Sequence, residues 1–238
     1  MRRGIAERVD LTVPANWQEV TREQLAIIAS MMNEQLSREE TLFVLFCRMA
    51  GLKHEGMGMF RTGDGQRIRL ETWQLADFCN RLAFILDTLP CDIVNPTRVN
   101  RYLDDINFGD YFHADALMYR YRLENDPSLV WKALNDLGDH RRGVSPLFAN
   151  EVALWWAGVM QWLKGQYPLV LDSEGGSTEG YDPLKARQNI MLMLNNDCPH
   201  YNERIEQSKM HDVLAALQNK IELAKKREEQ MAALRRNT

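Results

Sequence analysis

Residues 103–115 read LDDINFGDYFHAD, and five of them can ligate a metal or move a proton: Asp104, Asp105, Asp110, His113 and Asp115. Carboxylates beside a histidine can hold a divalent cation or serve as acid and base. The spacing does not favour that chemistry. Asp110, His113 and Asp115 stand at i, i+3 and i+5, so on one helix they do not share a face. Aspartates ahead of and inside a first helical turn are what capping and the helix dipole select. No catalytic, cofactor-binding or metal-ligating residue is therefore assigned, and the cluster is expected to start a helix. Residues 71–130 carry ten acidic and five basic side chains. Asp104, Asp105 and Asp110 thus belong to an acidic side that is expected to dock a basic partner.

Other combinations fail on their own terms. His211-Asp212 resembles the central pair of the helical HD-type phosphohydrolases, which need a further aspartate well downstream. No aspartate follows Asp212. Asp212 is instead expected in the first turn of the last helix. Cys198-Pro199-His200 places a thiol near a base without a third, orienting group, and a helix-breaking loop is the plainer expectation. Gly56-Met57-Gly58 lacks the third glycine and the following helix of a phosphate cradle, and no P-loop pattern is present.

Two helical stretches are more informative. Between Glu151 and Lys164 lie twelve uncharged residues that include Trp155, Trp156 and Trp162. The run is shorter than the roughly 20 apolar residues a membrane span needs. With no basic residues among the tryptophans, core or interface is expected rather than base stacking. Near the C-terminus, Met210, Leu214, Leu217, Ile221, Ala224 and Met231 follow heptad-like spacing, with Glu228 interrupting the seam. The balance over residues 225–238 is five basic to two acidic side chains. This stripe is expected either to pair with another helix, including one from a second copy, or to dock on its own domain. With the acidic residues above, Met210, Leu214, Leu217, Ile221 and Met231 form the candidate protein-interaction surface.

The elements that must position these residues are mainly helical. Thr21-x-x-Gln24 and Ser37-x-x-Glu40 are capping boxes that predict helices over about 22–34 and 38–50, stopped by Gly51. The alternation of Val9, Leu11 and Val13 predicts a short strand over 8–13. Gly63-Asp64-Gly65 predicts a β-hairpin within 57–70. Thr72 is expected to cap a helix over about 73–88, ended by Leu89-Pro90. An irregular stretch over 90–107 precedes helices over 109–124, 127–138 and 146–165, the last two begun by Asp126-Pro127 and Ser145-Pro146. DSEGGSTEGY, residues 172–181, reads as a flexible loop. Helices follow over 183–195 and about 200–235. Two regions are expected, 1–95 and 96–238, giving a mainly α fold of bundle-like character with one small hairpin and a long C-terminal helix.

Bulk properties fit a globular helical interaction protein. The net charge of −4 gives no global attraction to nucleic acid. Twelve methionines suit irregular cores and adaptable surfaces. Four scattered cysteines without a C-x-x-C pair suggest reduced thiols in a cytoplasmic protein. MRRGIAERVDLTV has no apolar run behind its arginines, unlike a secretory signal.

FGDYFHADALMYRYRLENDPSLVWKALNDL (108–137), EVALWWAGVMQWLKGQYPLVL (151–171), NIMLMLNNDCPHYNERIEQSKMHDVLAALQNKI (189–221) and VPANWQEVTREQLAIIA (13–29) resemble helical proteins of phages and prophages. They are similar in character to tail-assembly chaperones. The resemblance rests on aromatic and aliphatic patterns and transfers no individual residue's role. It implies a cytosolic, non-enzymatic protein that coats the tape-measure protein while the tail tube polymerises. Two alternatives stay open. One is a nucleic-acid-associated or regulatory protein dimerising through the last helix, with Lys225, Lys226, Arg227, Arg235 and Arg236 as contacts. The other is a metal-dependent enzyme built on the 104–115 cluster.

Overall fold

The computed structural model describes residues 11–171, 183–195 and 198–236. The fold is mainly α. Its helices are α1 (Arg22–Met31), α2 (Arg38–Met49), α3 (Thr72–Leu82), α4 (Phe84–Asp87), α5 (Phe108–Glu124), α6 (Pro127–Asp136), α7 (Pro146–Gln166), α8 (Pro168–Leu171), α9 (Pro183–Asn195), α10 (Asn202–Gln207) and α11 (Met210–Arg236). One antiparallel sheet joins β1 (Leu52–Gly56), β2 (Met59–Thr62) and β3 (Arg67–Arg69) in that order. The chain forms two compact units. The first takes the described residues up to Pro96 with Asn150–Gly158, and the second takes those from Thr97 onward without that stretch. Among the described residues no helix is long and apolar enough to cross a membrane.

Local chemistry explains the first unit. Thr21 Oγ1 accepts the Gln24 amide at 3.3 Å while Gln24 returns a bond to the Thr21 amide at 2.9 Å. Ser37 and Glu40 repeat the exchange at the start of α2. Gly51 ends that helix with a positive φ of 63°. Leu52, Phe60 and Ile68 are the buried members of the three strands. Phe46 packs between them and α3, meeting Phe60 edge-on and stacking on Phe78. Trp155 and Trp156 are each 2% exposed, so the tryptophan helix contributes to the core of this unit. Glu151, one turn earlier, is buried too, and its Oε2 is ion-paired with Arg22 at 2.5 Å. Burial pushes this carboxyl up, against the pull of Arg22.

The structure corrects several expectations here. The hairpin is a three-stranded sheet, because Met57-Gly58 makes a second tight turn ahead of Gly63-Asp64-Gly65. The helix expected over 73–88 is two helices. Glu71, not Thr72, occupies its cap, and the break at Ala83 seats Phe84 edge-on against Trp17, whose indole N–H bonds Thr88 Oγ1 at 3.0 Å. The first helix stops at Met31. Residues 11–13 belong to no strand, and 8–10 lie outside the described residues, as does the loop 172–181.

In the second unit α5 is central, packed against α6, α9, α10 and α11. Phe108, Tyr111, Phe112, Leu117 and Met118 are buried along it. Asp126 and Ser145 cap α6 and α7 as expected, each with proline at the first turn. Gly109 permits close contact with α10, since a Cβ there would stand 3.3 Å from Glu206 Cβ. The connection after α6 is held by Asp139, whose buried carboxylate accepts from the Arg98 amide at 3.0 Å and pairs with Arg141.

Candidate functional site

The first turn of α11 is fastened to the chain ahead of α5. Asn107 and Lys209 form an isolated antiparallel bridge. The Phe108 amide donates to Ser208 O at 2.9 Å and the Met210 amide to Ile106 O at 3.0 Å. Lys209 Nζ donates to the backbone oxygen of Asp105 at 2.8 Å. The acidic residues and the final helix are therefore neighbours, although sequence separates them widely.

His211 is the side-chain centre of this junction. Its Nε2 lies 2.6 Å from the Tyr102 carbonyl, which can only accept, so Nε2 carries the proton. Nδ1 lies 2.8 Å from the Tyr167 phenol and in the neutral imidazole is the acceptor of that bond. Burial, followed by the charges of Asp212 and Asp104, pushes Tyr167 above the usual tyrosine range and keeps it a donor. Trp162 meets the imidazole edge-on at 5.8 Å, and its ring lies 4.9 Å from that of Tyr102. Asp104 Oδ1 stands 3.8 Å from Nε2. This is an anchoring constellation: both imidazole nitrogens are engaged by groups of the chain itself.

The 104–115 cluster does not converge. Asp104, Asp105 and Asp110 are exposed, with Asp110 in the first turn of α5. His113 turns to Asp136, with Nδ1 2.8 Å from Oδ2, and Asp115 is buried. Among the described residues no three His, Cys, Asp or Glu side chains are grouped to hold a metal ion. A cleft of about 410 Å³ lies beside the start of α5, with Asp110, His113, Arg187, Glu206 and Gln207 among its walls. Arg187 and Glu206 are ion-paired. Cys47 is unsuited to attack, since burial, with Cys79 nearby, pushes its thiol up to about 11.

The final helix divides along its length. Met210, Leu214 and Leu217 are 0–2% exposed and belong to the core of the second unit, so they are not surface contacts in the folded chain. Ile221 is half-buried. Lys220 donates to the Met193 carbonyl. From Leu223 to Arg235 every residue is exposed, including Met231 at 55%. The apolar stripe thus outruns the body that covers its first half. Sequence spacing revealed the stripe but not where its cover ends. The roles of Tyr102, Trp162 and Tyr167 around His211 were not legible, because they come from two segments far from His211 in sequence.

Comparisons with protein-family models, with curated proteins and with solved structures return no match.

Proposed function

We propose that the chain is a non-enzymatic interaction protein of phage virion morphogenesis, acting in the host cytoplasm in the manner of a tail-assembly chaperone. The observation that carries the interaction role is the division of α11. Its inner half is locked by Met210, Leu214, Leu217 and His211, and its outer half holds Ala224 and Met231 on the same stripe in solvent. A helix presented this way can lay its apolar line into a partner at little ordering cost, since its base is already fixed. Asp104, Asp105 and Asp110 lie on the same unit and add an acidic margin. The phage setting rests on the resemblance of the aromatic and aliphatic segments, and the expected clients are the tape-measure and tail-tube proteins.

The basic side chains of the exposed half favour one second reading, a nucleic-acid-associated protein using Lys225, Lys226, Arg227, Arg235 and Arg236. Affinity purification from the native host, with and without nuclease, separates the two. Nuclease-resistant recovery of tail-tube or tape-measure protein supports the chaperone role. Recovery of nucleic acid, or of partners lost on nuclease treatment, sinks it.

A further inference from the structure

We infer that the exposed half of α11 is built to pair with an acidic amphipathic helix of a different protein, and not with a second copy of itself. The inference rests on the proposed interaction role and specifies the partner. In the heptad frame set by Leu217 and Ile221, Ala224, Glu228, Met231 and Arg235 take successive seam positions. Lys220 and Arg227 then flank the seam on one side and Lys225 on the other.

Self-pairing meets like charges in either orientation. A parallel pair sets Glu228 against Glu228 in the seam. An antiparallel pair sets the Arg227 flank against its own copy. A helix with acidic flanks complements the same positions, and a basic or amide side chain in its seam matches Glu228. From Lys220 to Arg236 the helix carries six basic and three acidic side chains. The helix dipole explains cations in the last turn, but its influence does not reach back to Lys225, Lys226 and Arg227. Nucleic acid fits less well: Glu222, Glu228 and Glu229 interrupt the basic residues, and no aromatic ring lies between Ile221 and Arg236 to stack on a base. The outer half is also a sound helix without support. It lacks Gly, Pro and β-branched residues, and Glu222 stands four residues before Lys226.

The test uses the full chain and three labelled synthetic helical peptides that share a Leu/Ile seam and differ only in flanks of Glu, Lys or Gln, with binding read by fluorescence anisotropy. The Glu-flanked peptide is expected to bind about tenfold or more tightly than the Lys-flanked one. Lys225→Glu with Arg227→Glu, at exposed positions that leave the fold intact, is expected to reverse that order. Equal affinity for the three peptides would overturn the acidic preference while leaving the interaction surface standing. Absence of binding by all three, or binding that survives removal of 223–238, would remove the surface itself. A concentration-dependent dimer abolished by Met231→Lys would assign the seam to a second copy and overturn the inference. Displacement of the acidic peptide by an equimolar DNA oligonucleotide would overturn it in favour of nucleic acid.

Discussion

The Tyr167 phenol donates to His211 Nδ1 across 2.8 Å, which ties the residue that follows α7 to the first turn of α11. The other imidazole nitrogen is spent on the Tyr102 carbonyl. Three segments of the second unit therefore meet on one ring, and the carbonyl's inability to donate fixes the direction of the bond at Nε2.

His211→Ala is expected to lower the unfolding free energy by about 1–3 kcal/mol, because it leaves the part-buried Tyr167 hydroxyl without its partner and removes the ring packed against Trp162. Tyr167→Phe removes one bond only and is expected to cost about 0.5–1.5 kcal/mol. Urea titration followed by tryptophan fluorescence measures both. The pH dependence has a definite sign. The folded-state pKa of Tyr167 is raised, so its contribution is full below about pH 10 and declines as pH rises through the folded value. Tyr167→Phe is expected to flatten the alkaline loss of stability. An unchanged alkaline slope would show that the phenol does not titrate differently on unfolding.

Asp139 governs the acid limb. Burial raises its carboxyl, but the bonds from Arg141 and the Arg98 amide outweigh that and hold it below the usual carboxylate range. Its stabilisation is present above about pH 4 and is lost as pH falls through the folded value. Asp139→Asn is expected to cost about 1–3 kcal/mol at neutral pH, and less at about pH 3, below the ordinary carboxylate value at which the unfolded chain takes up the proton. Thermal melts at the two pH values check this. A variant that loses as much at pH 3 as at pH 7 would place the effect in packing rather than charge.

The β1–β2 turn holds a residue that could be improved. Met57 has φ 48°, Gly58 has φ 72°, and the Met57 side chain is 99% exposed. Positive φ at both central positions is the type I′ pattern, for which Asn-Gly is preferred. Met57→Asn is expected to stabilise the protein by about 0.5–1 kcal/mol. Gly58→Ala should do the reverse by about 1–3 kcal/mol, since its Cβ would sit 2.7 Å from the Leu70 carbonyl as well as at positive φ. Opposite shifts in melting temperature for adjacent substitutions would be hard to obtain from side-chain contacts alone.

Much of the scaffold was written locally. The capping boxes at Thr21 and Ser37 and the proline starts at 127 and 146 are short-range signals, and each begins the helix it predicted. The break at Ala83 was not legible, because apolar periodicity continues across it and Trp17, which Phe84 meets there, lies far upstream in sequence. β1 was missed for a related reason: Leu52–Gly56 buries only Leu52, so it has no alternating pattern to read. At the site, the Asp104–Asp110 stretch and the stripe of α11 could be marked separately. That Lys209 and His211 close on residues 102–105 depends on contacts across more than a hundred residues, for which sequence has no local signal.

The division of α11 gives the sharpest contrast between fold and function. Leu214 is fully buried and Met231 is more than half exposed, yet both lie on one apolar line. Leu214→Ala deletes buried methyl groups and is expected to cost about 2–5 kcal/mol. Met231→Ala removes no buried contact, and surface changes of this kind fall within about 0.5 kcal/mol. For binding the order should invert. Met231→Ala is expected to weaken partner capture severalfold at unchanged stability, and removal of 223–238 should abolish it while Met210, Leu214 and Leu217 keep the second unit folded. Paired measurements of melting temperature and partner affinity on the same samples decide this. If Met231→Ala lowers the melting temperature as Leu214→Ala does, the outer half of the helix is structural, and the interaction surface must be sought elsewhere.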